Sequence, residues 1–161
     1  MERASGSEDE SGSRGGLFDL PDLYRQKRSE MVRMARMLTG SMDVAEEVVQ
    51  DAFLKLHERE PKLDNPEAYL RTMVTNLCRN HLKRVGIARQ IPHERRLVLE
   101  PEVDDLWQMI CQLPFRQRAV LALRFYDDLA ESEIAAILGC RVGTVKSSLH
   151  RALTALRKSL S

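Results

Sequence analysis

The sequence predicts an all-α chain made of two small helical domains joined by a flexible linker, the second domain containing a helix-turn-helix. Three observations predict it. Apolar residues recur at three- and four-residue spacings along several stretches, the period of an amphipathic helix. Prolines and helix-stopping Thr-Gly-Ser or Gly-Cys-Arg groups fall at the ends of those stretches. Hydrophobic residues make up 43% of the 161 positions but aromatics only 5%, enough for a core and a poor fit to a β-sandwich.

The first domain, residues 17–86, follows a polar Ser/Gly-rich tail at 1–16 that is expected to be disordered. A first helix is expected from Leu20 or Pro21 to Leu38, with Leu23, Met31, Met34, Ala35 and Leu38 inward. Gly40 suits its end, and Ser41 or Asp43 suits the next N-cap. In the second helix Val44, Val48, Ala52 and Leu56 form one row and Ala45, Val49 and Phe53 the adjacent one, a single broad apolar face. The other side carries Glu46, Glu47, Gln50, Asp51 and Lys55, with Leu54 among them. Pro61 to Pro66 reads as a loop. Asn65 then caps a third helix, with Pro66 in its first turn, running to about Arg84 and closed by Gly86.

Residues 87–101 show no firm period and read as the linker. The second domain, 102–161, is expected to hold four short helices, at Val103–Gln112, Phe115–Phe125, Ala130–Leu138 and from Val142 or Gly143 to about Ser159. Each domain has about 60–70 residues and is marginal alone.

The net charge of +1 hides a pattern. From Asp43 to Glu60 the chain is acidic; from Arg79 to Arg96 it is basic; from Arg141 onward it carries Arg141, Lys146, Arg151, Arg157 and Lys158 and no acid. Basic faces suit phosphates and an acidic face suits a basic protein surface, although charge runs are also ordinary on solvated helices. Cys78, Cys111 and Cys140 are far apart, form no C-x-x-C and lack histidines at zinc spacing, so they read as small buried residues, with no metal or other cofactor expected. No apolar run approaches the ~20 residues that cross a bilayer, and the start has no secretory pattern, which makes a cytoplasmic protein the expectation. The sequence has no H-E-x-x-H, G-x-S-x-G or phosphate loop, and its adjacent acids Glu46/Glu47 and Asp127/Asp128 do not face one another on a helix; an enzyme is not expected.

The strongest local pattern lies near the end. A helix-turn-helix needs a small residue where its helices cross, a residue tolerant of positive φ in the turn, and an apolar wedge early in the second helix. Ala135, Gly139 and Val145 meet these needs, spaced by four and by six residues. Lys146, Ser147, His150 and Arg151 then fall on the exposed side, where they suit base edges or phosphates. A plain helical hairpin with a basic surface is the alternative.

Two long segments make the reading specific. Residues 113–118, 121–126, 132–139 and 142–152 resemble the C-terminal promoter-binding domain (region 4) of extracytoplasmic-function (ECF) sigma factors. Residues 43–56 resemble the helix that such factors lay against the polymerase clamp, and 69–84 their promoter-melting helix (region 2), in the family's order. The resemblance implies that Glu47, Gln50, Asp51 and Leu54 meet core RNA polymerase. It implies that Asn65, Asn76, Arg79, Asn80 and Lys83 meet the downstream (−10) element, the loop before Asn65 holding a flipped base. By the same likeness Arg141, Thr144, Lys146, Ser147, His150 and Arg151 meet the upstream (−35) element. The expected partners are the clamp of the largest polymerase subunit, the flap of the second, promoter DNA and an anti-sigma factor, and the linker from Arg89 to Arg96 would thread the polymerase channel. The chain departs from the family at Tyr69, where Trp is frequent, and at Ser148, where Arg is frequent. A stand-alone helix-turn-helix regulator is the main rival and leaves the first domain unexplained; an anti-sigma or structural adaptor is a further one.

Overall fold

The computed structural model describes residues 19–59, 63–88 and 105–161, and every regular element among them is helical. The expected disordered tail, most of the linker with its basic run, the start of the pre-Asn65 loop and the helix start at Val103 lie outside the described residues.

The first half is a three-helix bundle. Helix α1, Leu20–Thr39, begins at Asp19, whose side chain accepts the Asp22 N–H, and has Pro21 in its first turn. It stops at Gly40, where φ is 77°, and the Gly40 N–H bonds the Arg36 carbonyl at 2.7 Å. A β-carbon is disfavoured in that left-handed conformation, which is why glycine ends the helix. Helix α2, Met42–Arg59, starts from Ser41, whose Oγ accepts the Val44 N–H at 3.3 Å. Helix α3, Pro66–Ala88, starts from Asn65, whose Oδ1 accepts the Ala68 N–H at 3.1 Å. The three helices bury Met31, Met34, Leu38, Val49, Leu56, Leu70 and Val74. Full burial of such side chains is worth about 1.5–3 kcal/mol each, and this stripe holds the bundle.

Helix α3 runs past Gly86, the residue expected to close it. Gly86 does not adopt a positive φ, so it ends nothing; a lone glycine costs a helix only ~1 kcal/mol.

The second half contains α4 (Asp105–Gln112), α5 (Phe115–Leu121), α6 (Glu131–Leu138) and α7 (Val142–Leu160). Leu113-Pro114 separates α4 from α5. The element expected as one helix from Phe115 to Phe125 widens into a π-helical turn over Ala122–Tyr126, where the Asp127 N–H bonds the Ala122 carbonyl at 3.3 Å. The widened turn leaves Phe125 and Tyr126 exposed while the side chain of Asp127 is buried. Ala119, Val120, Leu123, Ile134, Val145 and Ala152 are fully buried around α7.

The two halves touch. Helix α1 packs against α4, α5 and the π turn, and α3 against α6, so the buried residues form one continuous cluster.

Candidate nucleic-acid interface

The helix-turn-helix forms as its three marker residues require. Ala135 is buried under α7, Gly139 sits at φ 63° with no atom near the position of a β-carbon, and Val145 is fully buried. The Glu133 carboxylate accepts the Ala130 N–H at 2.8 Å and so secures the entry of α6. Val145 carries α7 into the core, and the remaining faces of α7 are set by the helical period. Arg141, Lys146, Ser147, His150 and Arg151 are exposed, and Thr144 is half-buried. Lys146 makes only a long ion pair, 3.8 Å to Glu131, with its side chain 65% exposed. Such a pair is worth ~0–1 kcal/mol and leaves the ammonium available to a stronger anion. The six positions form one surface at the start and outer side of α7.

Ser148, the position where the family often has Arg, lies on the inner side of α7. It is buried, turned toward the core beside Val145 and Ala152, so the residue there does not face outward with Lys146 and Ser147. An arginine at this position would reach phosphate only by extending out from the core, and the serine simply fills a small inward site.

On α3, Asn76, Asn80 and Lys83 are exposed and Arg79 is half-buried. Their spacing puts them on one helical face. The Arg79 guanidinium stacks over Phe115 of α5, Cζ lying 5.5 Å from the ring centroid. Asn65 is exposed, but its side-chain oxygen is occupied as the N-cap of α3. His81 and Tyr69 are half-buried.

The acidic face of α2 lies on the other side of the first half's core. Glu47 and Gln50 are exposed, Asp51 pairs with Lys55 at 3.5 Å, and Leu54 is 55% exposed among them. Among the described residues, Leu54 is the one large apolar side chain exposed on this face of α2.

Sequence reasoning missed the charged joint between the halves. Arg71 Nη2 holds Glu30 at 3.2 Å and Glu67 at 2.7 Å, and Arg71 Nε holds Asp127 at 3.1 Å. Lys27 joins the same group through Glu67 at 2.9 Å and Glu30 at 3.1 Å. Burial raises the Asp127 carboxyl to about 6, Arg71 opposing and Glu30 adding to the shift. Burial pushes the Cys78 thiol up to about 12. Cys78 is buried as expected, whereas Cys111 and Cys140 are half-buried.

Residues 23–86 match the family described as Sigma-70 region 2, and residues 104–156 match Sigma-70, region 4. The RNA polymerase sigma-E factor of Streptomyces coelicolor is 30% identical over 91% of this chain and 88% of its own length. The ECF RNA polymerase sigma factor SigW of Bacillus subtilis is 25% identical over 92% of this chain and 91% of its own. Among solved structures, the sigma factor RpoE of Bartonella quintana, in complex with the anti-sigma factor NepR, superposes with a TM-score of 0.73 at 23% identity, covering 86% of this chain and 96% of that one. With both family regions present in order and the exposed rows on α3 and α7 falling within them, the chain belongs to the ECF group of the sigma-70 family and is an RNA polymerase sigma factor.

Proposed function

We propose that the outer face of α2, with Glu47, Gln50, Asp51 and Leu54, binds the clamp of the largest polymerase subunit. In the same reading α3 and the loop before it read the −10 element through Asn65, Asn76, Arg79, Asn80 and Lys83. Helix α7 reads the −35 element through Arg141, Thr144, Lys146, Ser147, His150 and Arg151. Residues 17–86 and 102–161 then act as the two DNA-binding units, on either side of the segment 87–101.

The observation that carries this reading is the pair of exposed polar rows on α3 and α7, each backed by its own buried stripe. Amides on α3 suit the edges of unpaired bases, and its cations suit the strand backbone. Unstacking a base costs a few kcal/mol. Contacts on two separate DNA elements, together with those to polymerase, offset that cost. The chain supplies binding energy and geometry; bond formation belongs to the polymerase. An anti-sigma factor covering these rows is the further partner proposed, and the cytoplasm, where polymerase works, is the proposed site of action. No helix among the described residues is long and apolar enough to cross a membrane.

Run-off transcription with purified core polymerase and a pool of genomic promoters tests the assignment. Specific transcripts that weaken on Asn80→Ala with Lys83→Ala, and separately on Lys146→Ala with Arg151→Ala, are expected. Transcripts indifferent to both pairs would remove these rows from promoter reading.

A further inference from the structure

The six residues proposed to meet the −35 element are polar or charged, and suit the hydrogen-bonding groups of base edges and phosphates. The thymine 5-methyl is the one base mark in the major groove that makes no hydrogen bond, and it asks for an apolar partner instead. Thr144 alone among the six carries a methyl group, and it is half-buried. Helix α7 begins with two residues outside that set, Val142 and Gly143, and both are exposed.

Glycine is a poorer helix former than alanine, so its presence at 143 calls for a cause. A positive φ is not the cause, since Gly40 and Gly139 are the glycines in that region among the described residues. Packing within the chain is not the cause either, because a β-carbon at Gly143 would meet no atom within 4 Å. The space in front of Gly143 is open, and it faces outward. Ser147 and His150 follow at four and seven residues, exposed along the same line of the helix. A glycine at the head of that line lets the backbone come closer to whatever those side chains touch.

Val142 is 39% exposed, although it is apolar and branched. It is not what anchors the helix: Val145, three residues on, is fully buried and does so. Lys146 stands one turn beyond Val142 on the same side, with its side chain 65% exposed. A recognition helix meets base edges through its first residues. There, an exposed valine can cover a methyl while the neighbouring ammonium reaches an acceptor.

We propose that the first turn of α7 reads a thymine of the −35 element directly. Gly143 leaves the clearance for the helix to sit deep in the major groove, and Val142 packs against the thymine 5-methyl. The inference rests on reading α7 as the −35 helix, and it adds the kind of base contact that the polar row lacks. Thymine is thereby told from cytosine, which carries no methyl.

The test uses holoenzyme, core polymerase with the full chain, on a promoter recovered by run-off transcription. Each thymine of the −35 element is replaced singly by deoxyuridine, which removes the 5-methyl and leaves every hydrogen-bonding group in place. With the wild type, one such replacement is expected to weaken promoter binding about fourfold, the loss of one buried methyl. Val142→Ala is expected to bind the parent promoter about fourfold more weakly, and to lose nothing further on that replacement. Gly143→Ala is expected to lose binding to the parent promoter while its melting temperature holds or rises, since alanine is the better helix former. Equal losses to deoxyuridine in the wild type and Val142→Ala, a −35 element in which no thymine methyl matters, or a Gly143→Ala chain that binds as the wild type does would overturn the proposal. Binding that survives scrambling of the whole −35 element would overturn the α7 reading itself, whereas binding that needs the element and ignores its methyls removes the Val142 contact alone.

Discussion

The Arg79 guanidinium lies over the Phe115 ring, 5.5 Å from its centroid, joining the polar row of α3, proposed to meet the −10 element, to the second half of the chain. Its neighbours Asn76, Asn80 and Lys83 have no such cover. The row is thus unevenly exposed, and single substitutions along it separate base contacts from backbone contacts. Asn80→Ala is expected to cost about 1–3 kcal/mol of discrimination at one base of the −10 element. Lys83→Ala weakens all sequences alike and lowers the salt slope of binding by about 0.7–0.9. Titrations of fork-junction DNA with holoenzyme at several salt concentrations measure both.

Leu54 has a second, independent consequence. More than half of it is exposed, so it contributes little to the core of α1–α3. Leu54→Ala should change stability by no more than ~0.5 kcal/mol. At the centre of a polymerase-binding face it should cost at least ~1 kcal/mol of affinity. Thermal melts and competition for core polymerase give the two numbers on one variant.

The stability of the joint between the halves depends on pH through Asp127. Burial holds its carboxyl up at about 6, above the ordinary 3.8, against the pull of Arg71. The folded chain therefore binds the proton more tightly than the unfolded chain. Its contribution to stability is fully present below about 3.8 and is lost as pH rises through about 6. Glu30 runs the other way: burial alone would raise it, but Lys27 and Arg71 hold it below the usual value, so it stays ionised across this window. Lys27, raised chiefly by its hydrogen bond to Glu67, stays charged. The chain is expected to gain stability between pH 7.5 and 5.5 in denaturant melts through this group, and Asp127→Asn is expected to abolish that part of the change.

Gly139 tests the turn. At φ 63° with open space around the missing β-carbon, the cost of a side chain is backbone strain alone. Gly139→Ala should destabilise by about 1–2 kcal/mol. Gly139→Asn should cost less, because asparagine visits the left-handed region more readily. Denaturant melts rank the two.

Cys78 predicts an order of reactivity. With its thiol pushed up to about 12 by burial, almost no thiolate exists at pH 8. Half-buried Cys111 and Cys140 should be alkylated first, and Cys78 only on unfolding, as followed by mass spectrometry of digests.

Local chemistry was legible in the sequence where it is local in the fold. Gly40, Ser41, Asn65 and Gly139 each act within a few residues, and each ends or starts the helix expected of it. The apolar rows of α2 and the wedge at Val145 followed from the helical period alone. What stayed hidden depends on contacts between distant segments. Arg71 and Asp127 are 56 residues apart, and Asp127 read only as the neighbour of Asp128. The π turn that sets Asp127 apart from Phe125 and Tyr126 has no period of its own to detect. Gly86 looked like a stop because glycine is a weak helix former, yet the surrounding helix carries on through it.

The central claim is that one chain reads two promoter elements at a fixed spacing through α3 and α7. Run-off transcription with core polymerase on a promoter and on the same promoter with five base pairs inserted between its elements tests this directly, since that insertion turns the elements by about half a helical turn. Transcription from the parent promoter that needs this chain, and that falls sharply on insertion and on Lys146→Ala with Arg151→Ala, is the predicted result. Transcription indifferent to the insertion, or no transcription above core polymerase alone, would contradict it.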